Sequence, residues 1–334
     1  MSDSKKGRSA KSVFARVLVA VIIIAAGAAA LAGHRYGFFD GLDPDESSVP
    51  KGFIDENATH AFVEFIDVGE GESVLIGSEG HFMLIDAGDK AAFVKVMKIL
   101  ETEGVKQLDY LLLSNPDAGH IGGAADILWR VKTNCLILPR ISDTLTSDSS
   151  DFYSVTEAAG GMQVEVRTAG DSHFTLGGCT FDTFVPHKAY EEVGDNSVYV
   201  RLCHGDNSFL FTGNSGRAEE EEFVGRGTKL SSNVLKASNH AGRDSCCSEL
   251  LSSVMPEYTV ISCAKNDSRG NPNRDTLRRI RKFSPNVLMT CDYGTIRFDS
   301  DGSRIKVSAG YEHISDSSSD NHEENDDSKT DNPS

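Results

Sequence analysis

The sequence predicts an α/β layered domain, stacked sheets covered by helices, carried behind one N-terminal transmembrane helix. Three observations lead there. Short apolar runs recur from AFVEFIDVG (61–69) to NVLMTCD (286–292); helix-spaced segments lie between several of them; and an uncharged apolar stretch stands near the start of the 334-residue chain.

The elements follow in order. Residues 1–13 form a basic cytoplasmic N-terminus with Lys5, Lys6, Arg8 and Lys11 against Asp3. Residues 14–33 contain VLVAVIIIAAGAAALAG, close to the roughly 17–25 apolar residues of a spanning helix and longer than the roughly 7–15 of a cleavable signal core. The expected reading is a retained anchor on the cell membrane. The alternative is secretion after cleavage, because Ala30-Leu31-Ala32 has the A-x-A form that signal peptidase cuts. Either way the positive end stays inside and the bulk of the chain is extracytoplasmic.

Residues 34–59 are rich in Gly, Pro, Asp and Ser without an apolar period, which reads as a linker. The main domain is expected over 60–310. Within it KAAFVKVMKILETEG (90–104) spaces Phe93, Val96, Met97 and Leu100 as a helix does, with Gly104 marking its end. RDTLRRIRK (274–282) is the densest basic cluster and reads as the solvated face of an amphipathic helix. Residues 311–334 have too little apolar content to offset the entropy of ordering, and are expected to be a disordered acidic tail without EF-hand spacing.

Net charge is -17. Nucleic acid is not expected as a partner, because such affinity draws largely on Lys and Arg displacing condensed counterions. Seven cysteines are an odd number, so at least one stays unpaired within the chain; none shows C-x-x-C spacing, and their pairing does not follow from sequence. Cys135, Cys263 and Cys291 fall in or beside apolar runs, where cysteine acts as a small buried hydrophobe. There is no Gly-x-Ser-x-Gly elbow, P-loop or Cys–His pairing.

The chemistry concentrates in separated pieces: FIDVGEGES (65–73), LIDAG (84–88), SNPDAGHIGG (114–123), FLFTGN (209–214) and VLKASNHAG (234–242), followed by RGNPNRDTL (269–277). Taken alone, SNPDAGHIGG is an ordinary turn, with Asp117 available to cap a helix after Gly123. In this order the pieces resemble the metallo-β-lactamase superfamily, and within it the hydrolase-like domain at the C-terminal end of the DNA-uptake competence protein ComEC and its stand-alone relatives. That branch carries D-V-G-Q-G-D-S, L-I-D-T-G, H-x-[HD]-x-D-H-I-G-G, T-G-D, H-H-G-S and often a late G-H-P. Here Glu70 and Glu72 stand for Gln and Asp, while Asp67, Gly69, Gly71, Ser73 and Asp86 match.

The resemblance implies a four-layer αββα sandwich over roughly 60–310 with a metal centre at one edge. It would hold one or two Zn²⁺ or Mn²⁺ ions that lower the pKa of bound water to near 7. The ligand positions depart from the pattern. They read Asn115, Asp117, Gly119 and His120, then Asn214, then Asn239 and His240, then Asn271. Neutral amides have replaced anions and imidazoles, and an amide oxygen is a weak ligand for a transition metal.

The expectation is therefore a membrane-anchored scaffold or pseudo-enzyme, without cofactor, that binds an envelope protein or a small ligand. The alternative is a metal-dependent hydrolase, of phosphodiesterase or nuclease type, that holds Zn or Mn at a residual mononuclear site of Asp117, His120 and His240. His187, at a strand end, and His204, in a hairpin turn expected to be solvent-exposed, are further candidate ligands.

Overall fold

The computed structural model describes residues 59–140 and 150–310. The N-terminal basic segment, the anchor, most of the linker and the acidic tail lie outside the described residues. Among those described, no helix is long and apolar enough to cross a membrane.

The chain forms fifteen strands among the described residues: β1 (Ala61–Phe65), β2 (Val74–Ser78), β3 (His81–Ile85), β4 (Gln107–Leu112), β5 (Lys132–Leu138), β6 (Glu165–Thr168), β7 (Ser172–Leu176), β8 (Cys179–Phe184), β9 (Tyr199–His204), β10 (Asn207–Phe211), β11 (Val234–Lys236), β12 (Tyr258–Ile261), β13 (Asn286–Met289), β14 (Ile296–Ser300) and β15 (Ile305–Ala309). They make two sheets, ordered β15-β14-β1-β2-β3-β4-β5-β6 and β13-β12-β11-β10-β9-β8-β7. The helices are α1 (Phe93–Thr102), α2 (Ala118–Ile121), α3 (Ala124–Arg130), α4 (Ser150–Gly161), α5 (Arg217–Gly225), α6 (Ser248–Val254), α7 (Arg274–Ile280) and α8 (Thr290–Tyr293). The expected mixed α/β arrangement with two sheets is thus observed.

Strand periodicity builds the layers. Side chains alternate faces along a strand, so Val74, Ile76, Met83 and Ile85 point between the sheets, where they meet Phe181, Phe209, Phe211 and Phe298. Leu75 and Leu84 point the other way, onto Val96, Leu100, Ile127 and Val155 of α1, α3 and α4. In the second sheet Leu210, Leu235 and Ile261 face outward onto Phe223, Leu250 and Ile280 of α5, α6 and α7. Strands buried on both faces read as continuous apolar runs, which is why the central ones stand out in the sequence.

Each sheet has an antiparallel half and a parallel half. β3, β4, β5 and β6 are parallel, as are β10, β11, β12 and β13. The C-terminal ends of the parallel strands open into loops at one edge of the sandwich, where α/β sheets place their ligands.

Candidate functional site

Asp86 closes β3 and organises the first-sheet side of that edge. It is fully buried at φ +59°. Its Oδ1 accepts Ser114 N at 2.7 Å, and its Oδ2 accepts Ser114 Oγ at 2.6 Å. The same Oδ2 lies 2.7 Å from His120 Nδ1, which sits in the short helix α2 after β4. A carboxylate on Nδ1 fixes the imidazole and leaves Nε2 free, the arrangement that orients metal-ligating histidines. His120 Nε2 is buried and has no hydrogen-bond partner.

A second charge pair lies alongside. Glu72, between β1 and β2, pairs through Oε2 with the ammonium of Lys236 at the end of β11; both side chains are fully buried. Gly71 allows this loop to approach, since a Cβ there would stand 2.6 Å from the Gly119 carbonyl, and Glu72 N donates to that carbonyl at 3.0 Å. Glu72 Oε2 lies 4.0 Å from His120 Nδ1. Glu72, Asp86 and His120 bring one ligand atom each within 4.8 Å of one another, a spacing that can hold a cation.

From the second sheet, His240 follows β11 and its Nδ1 donates to the Ser262 carbonyl at 2.8 Å. The His120 and His240 ring centroids are 6.0 Å apart. Burial pulls the His120 imidazole down, yet the Asp86 carboxylate, its hydrogen bond and Glu72 hold it above the ordinary histidine value. Burial, then the positive charges of Lys236 and His120, hold His240 well below it. His240 sits in a turn where Asn239, His240 and Ala241 all have left-handed φ, at 45°, 51° and 56°.

Hydrogen bonds join Asn115 and Asn214 to Asp117. Asn115 Nδ2 donates to Ser197 Oγ at 3.0 Å and to the Val193 carbonyl at 3.2 Å, and its Oδ1 accepts Asp117 N at 3.0 Å. Asn214 Nδ2 donates to Asp117 Oδ2 at 3.0 Å, which leaves Asn214 Oδ1 buried without a partner. Asn271 N donates to Asp267 Oδ1 at 3.0 Å, beside a cis Asn271–Pro272 bond. These residues line or adjoin a polar cleft of about 670 Å³, walled by Asp117, Asn214, Asn239, Asp195, Arg217 and Arg269.

Three expectations are corrected. His204 is buried, not exposed: its Nδ1 meets Ser300 Oγ and its Nε2 meets Thr59 Oγ1, each at 2.8 Å, because the β9–β10 turn packs on the β14–β15 hairpin. His187 is exposed and lies near Asp171, away from the site. Asp117 stands at the N-cap of α2 but makes no side-chain cap bond, since its carboxylate is taken by Asn214.

Comparison with known proteins agrees with this architecture. The family model described as "Metallo-beta-lactamase superfamily" matches residues 66–265. The chain belongs to the metallo-β-lactamase superfamily. It is 26% identical over 255 residues to ComE operon protein 3 of Bacillus subtilis, covering 71% of this chain and 32% of that one. It is 26% identical over 251 residues to Recombination protein 2 of Haemophilus influenzae, covering 73% and 29%. Competence protein ComA of Neisseria gonorrhoeae is 27% identical over 242 residues, covering 71% and 32%. The chain thus matches about a third of the length of these relatives. Among solved structures, the diiron β-hydroxylase CmlA from Streptomyces venezuelae aligns with a TM-score of 0.42 at 10% identity, covering 66% of this chain and 49% of that one.

A dinuclear superfamily centre does not fit the donors present. The Asn115 amide is spent on protein partners, Gly119 offers no side chain, and Asn214 presents N–H rather than a carboxylate to Asp117. His120 Nε2 is an orphaned imidazole nitrogen, and His240 Nδ1 is held by the Ser262 carbonyl much as His120 Nδ1 is held by Asp86. The tightest group of donors is Glu72, Asp86 and His120, which shares only His120 with the expected Asp117, His120 and His240. Within that group Lys236 already supplies positive charge to Glu72. Sequence reasoning missed Lys236 as part of the site. Its signal was a lysine inside the apolar run NVLKAS, since lysine is almost never fully buried unless paired.

Proposed function

We propose that this protein is a ComEC-like metallo-β-lactamase-fold scaffold whose catalytic centre has been closed by substitution. It is anchored by its N-terminal helix with the domain outside the membrane, and the cleft binds an envelope protein or a small ligand. The observation that carries this reading is the Asn214–Asp117 hydrogen bond: where the family pattern has a bridging carboxylate, an amide donates to the neighbouring ligand position. A hydrolytic centre needs that pair to share metal charge, whereas here the pair is satisfied within the protein. The relatives' names concern competence and recombination, and the match covers about a third of their length.

A second reading, a mononuclear metal-dependent hydrolase, is favoured by one observation, the orphaned His120 Nε2. Elemental analysis of the full chain, purified without tag histidines or chelator and then equilibrated with Zn²⁺ or Mn²⁺, separates the two. The scaffold reading expects no stoichiometric metal in a folded chain. One equivalent per chain, lost in His120→Ala and Asp117→Ala, would overturn it.

A further inference from the structure

The ends of β12 and β13 hold two thiols that the site leaves unused. The strands are parallel, with Ile261 opposite Met289. Cys263 lies just past β12 and Cys291 in α8 just past β13, and both join the apolar layer that packs against α6 and α7. Their Sγ atoms are 2.9 Å apart. Thr290 locks the approach: its Oγ1 accepts Cys263 N at 3.0 Å and donates to the Cys263 carbonyl at 3.2 Å. Cys263 is buried, whereas Cys291 is partly open to solvent.

We propose that Cys263 and Cys291 are a disulfide-forming pair, closed by exchange with a dithiol–disulfide oxidant such as a disulfide-donating protein or oxidised glutathione. Closing the bond asks the sulfurs to move together by roughly 1 Å, to the ordinary S–S length near 2.05 Å. Cys291, the accessible partner, loses its proton and attacks one sulfur of the oxidant, expelling the first thiol. Cys263 loses its proton and attacks Cys291 Sγ, expelling the second. Two electrons and two protons pass from the protein to the oxidant, whose disulfide becomes two thiols. Burial pushes the Cys263 thiol up, so the more accessible Cys291 makes the first attack and Cys263 follows only because it is held beside it.

The bond would act on the cleft through the backbone. Cys263 follows Ser262, whose carbonyl accepts His240 Nδ1, and it begins the loop that carries Ser268 and Arg269 onto Glu70. Tying Cys263 to α8 fixes the root of that rim. Disulfides persist in oxidising compartments, which include the extracytoplasmic side. The inference does not depend on whether a metal binds.

The test uses the full chain, reduced with dithiothreitol under anaerobic conditions and then equilibrated with oxidised glutathione. After denaturation with N-ethylmaleimide and digestion without reductant, mass spectrometry should find the Cys263 and Cys291 peptides joined, lighter by two hydrogens, in most chains. Free thiols should fall by two from seven. Oxidation should also slow proteolysis within 264–273, and Cys291→Ser, confirmed folded by circular dichroism, should show neither change. Full alkylation of all seven thiols in the oxidised wild type, or linkage through another cysteine in comparable yield, would overturn the proposal. The wild-type peptide map decides the matter even if the variant does not fold.

Discussion

Lys236 and Glu72, separated by 164 positions in sequence, form an ion pair that no solvent reaches, joining the end of β11 in one sheet to the β1–β2 loop of the other. Removing one partner from such a pair leaves an uncompensated buried charge, which costs about 3–5 kcal/mol. Lys236→Met should therefore lower stability by that order. The double variant Glu72→Leu with Lys236→Met should recover most of the loss, because replacing both charges with apolar groups is often neutral or better. Urea unfolding of the two variants measures this, and equal losses in both would show that packing rather than charge dominates.

The substituted ligand positions make a prediction about metal. Asn214→Asp places a carboxylate where an amide now donates to Asp117, so the single variant should be less stable by about 1–3 kcal/mol through loss of a buried hydrogen bond and like-charge repulsion. Adding Asn115→His, Gly119→Asp and Asn239→His restores every position of the pattern except the late one at Asn271, and Gly119 has room, its nearest non-neighbour atom being 3.5 Å from a built Cβ. The fourfold variant should bind Zn²⁺ or Mn²⁺ in calorimetry and regain stability that grows with the logarithm of metal concentration, whereas the wild type should not. A fourfold variant that folds and stays metal-free would show that the backbone, as well as the side chains, has left the metal-binding arrangement.

Much of this arrangement was legible in the sequence, for physical reasons that differ by element. Central strands such as β3 and β10 are buried on both faces and announce themselves as apolar runs. By contrast β6 is exposed at every residue, and β7 is exposed or half-exposed at all but Leu176, so neither carries a recognisable period. The substituted positions from Asn115 to Asn271 were readable because motif order fixes them. Their partners were not: Ser197 against Asn115, Lys236 against Glu72 and Ser262 against His240 are chosen by sheet packing across long separations. His204 misled because a hairpin end is usually exposed, and only the β14–β15 hairpin packed over it reverses that.

Glu64 predicts a pH dependence. It is buried in β1, and burial, only partly offset by Arg297, raises its carboxyl from 4.5 to about 7. A raised folded-state value means that the stability it contributes is complete below about 4.5 and is lost as pH rises through about 7. The loss is on the order of 3 kcal/mol at most, from the size of the shift. Burial raises Glu219 and Glu220 as well, and both act in the same direction. Glu64→Gln should flatten the fall in stability between pH 5 and pH 8, read as the urea midpoint at each pH. An unchanged slope would assign the dependence to the α5 glutamates.

The turn that holds His240 predicts a muted response to a core substitution that is usually costly. Ala241 is fully buried, and deleting a buried methyl would ordinarily destabilise. Its φ of 56°, however, lies in the left-handed region, as do those of Asn239 and His240 before it. An L-residue pays roughly 1–2 kcal/mol there and glycine does not, while the methyl group itself is worth about 0.8 kcal/mol of burial. Strain and packing thus nearly cancel, and Ala241→Gly should change stability by less than about 1 kcal/mol. Ala241→Val keeps the strain and adds bulk to a β-branched residue in an unsuitable conformation, so it should cost about 2 kcal/mol or more. Thermal unfolding of the two variants distinguishes them, and a loss for glycine as large as that for valine would show that the turn carries no strain.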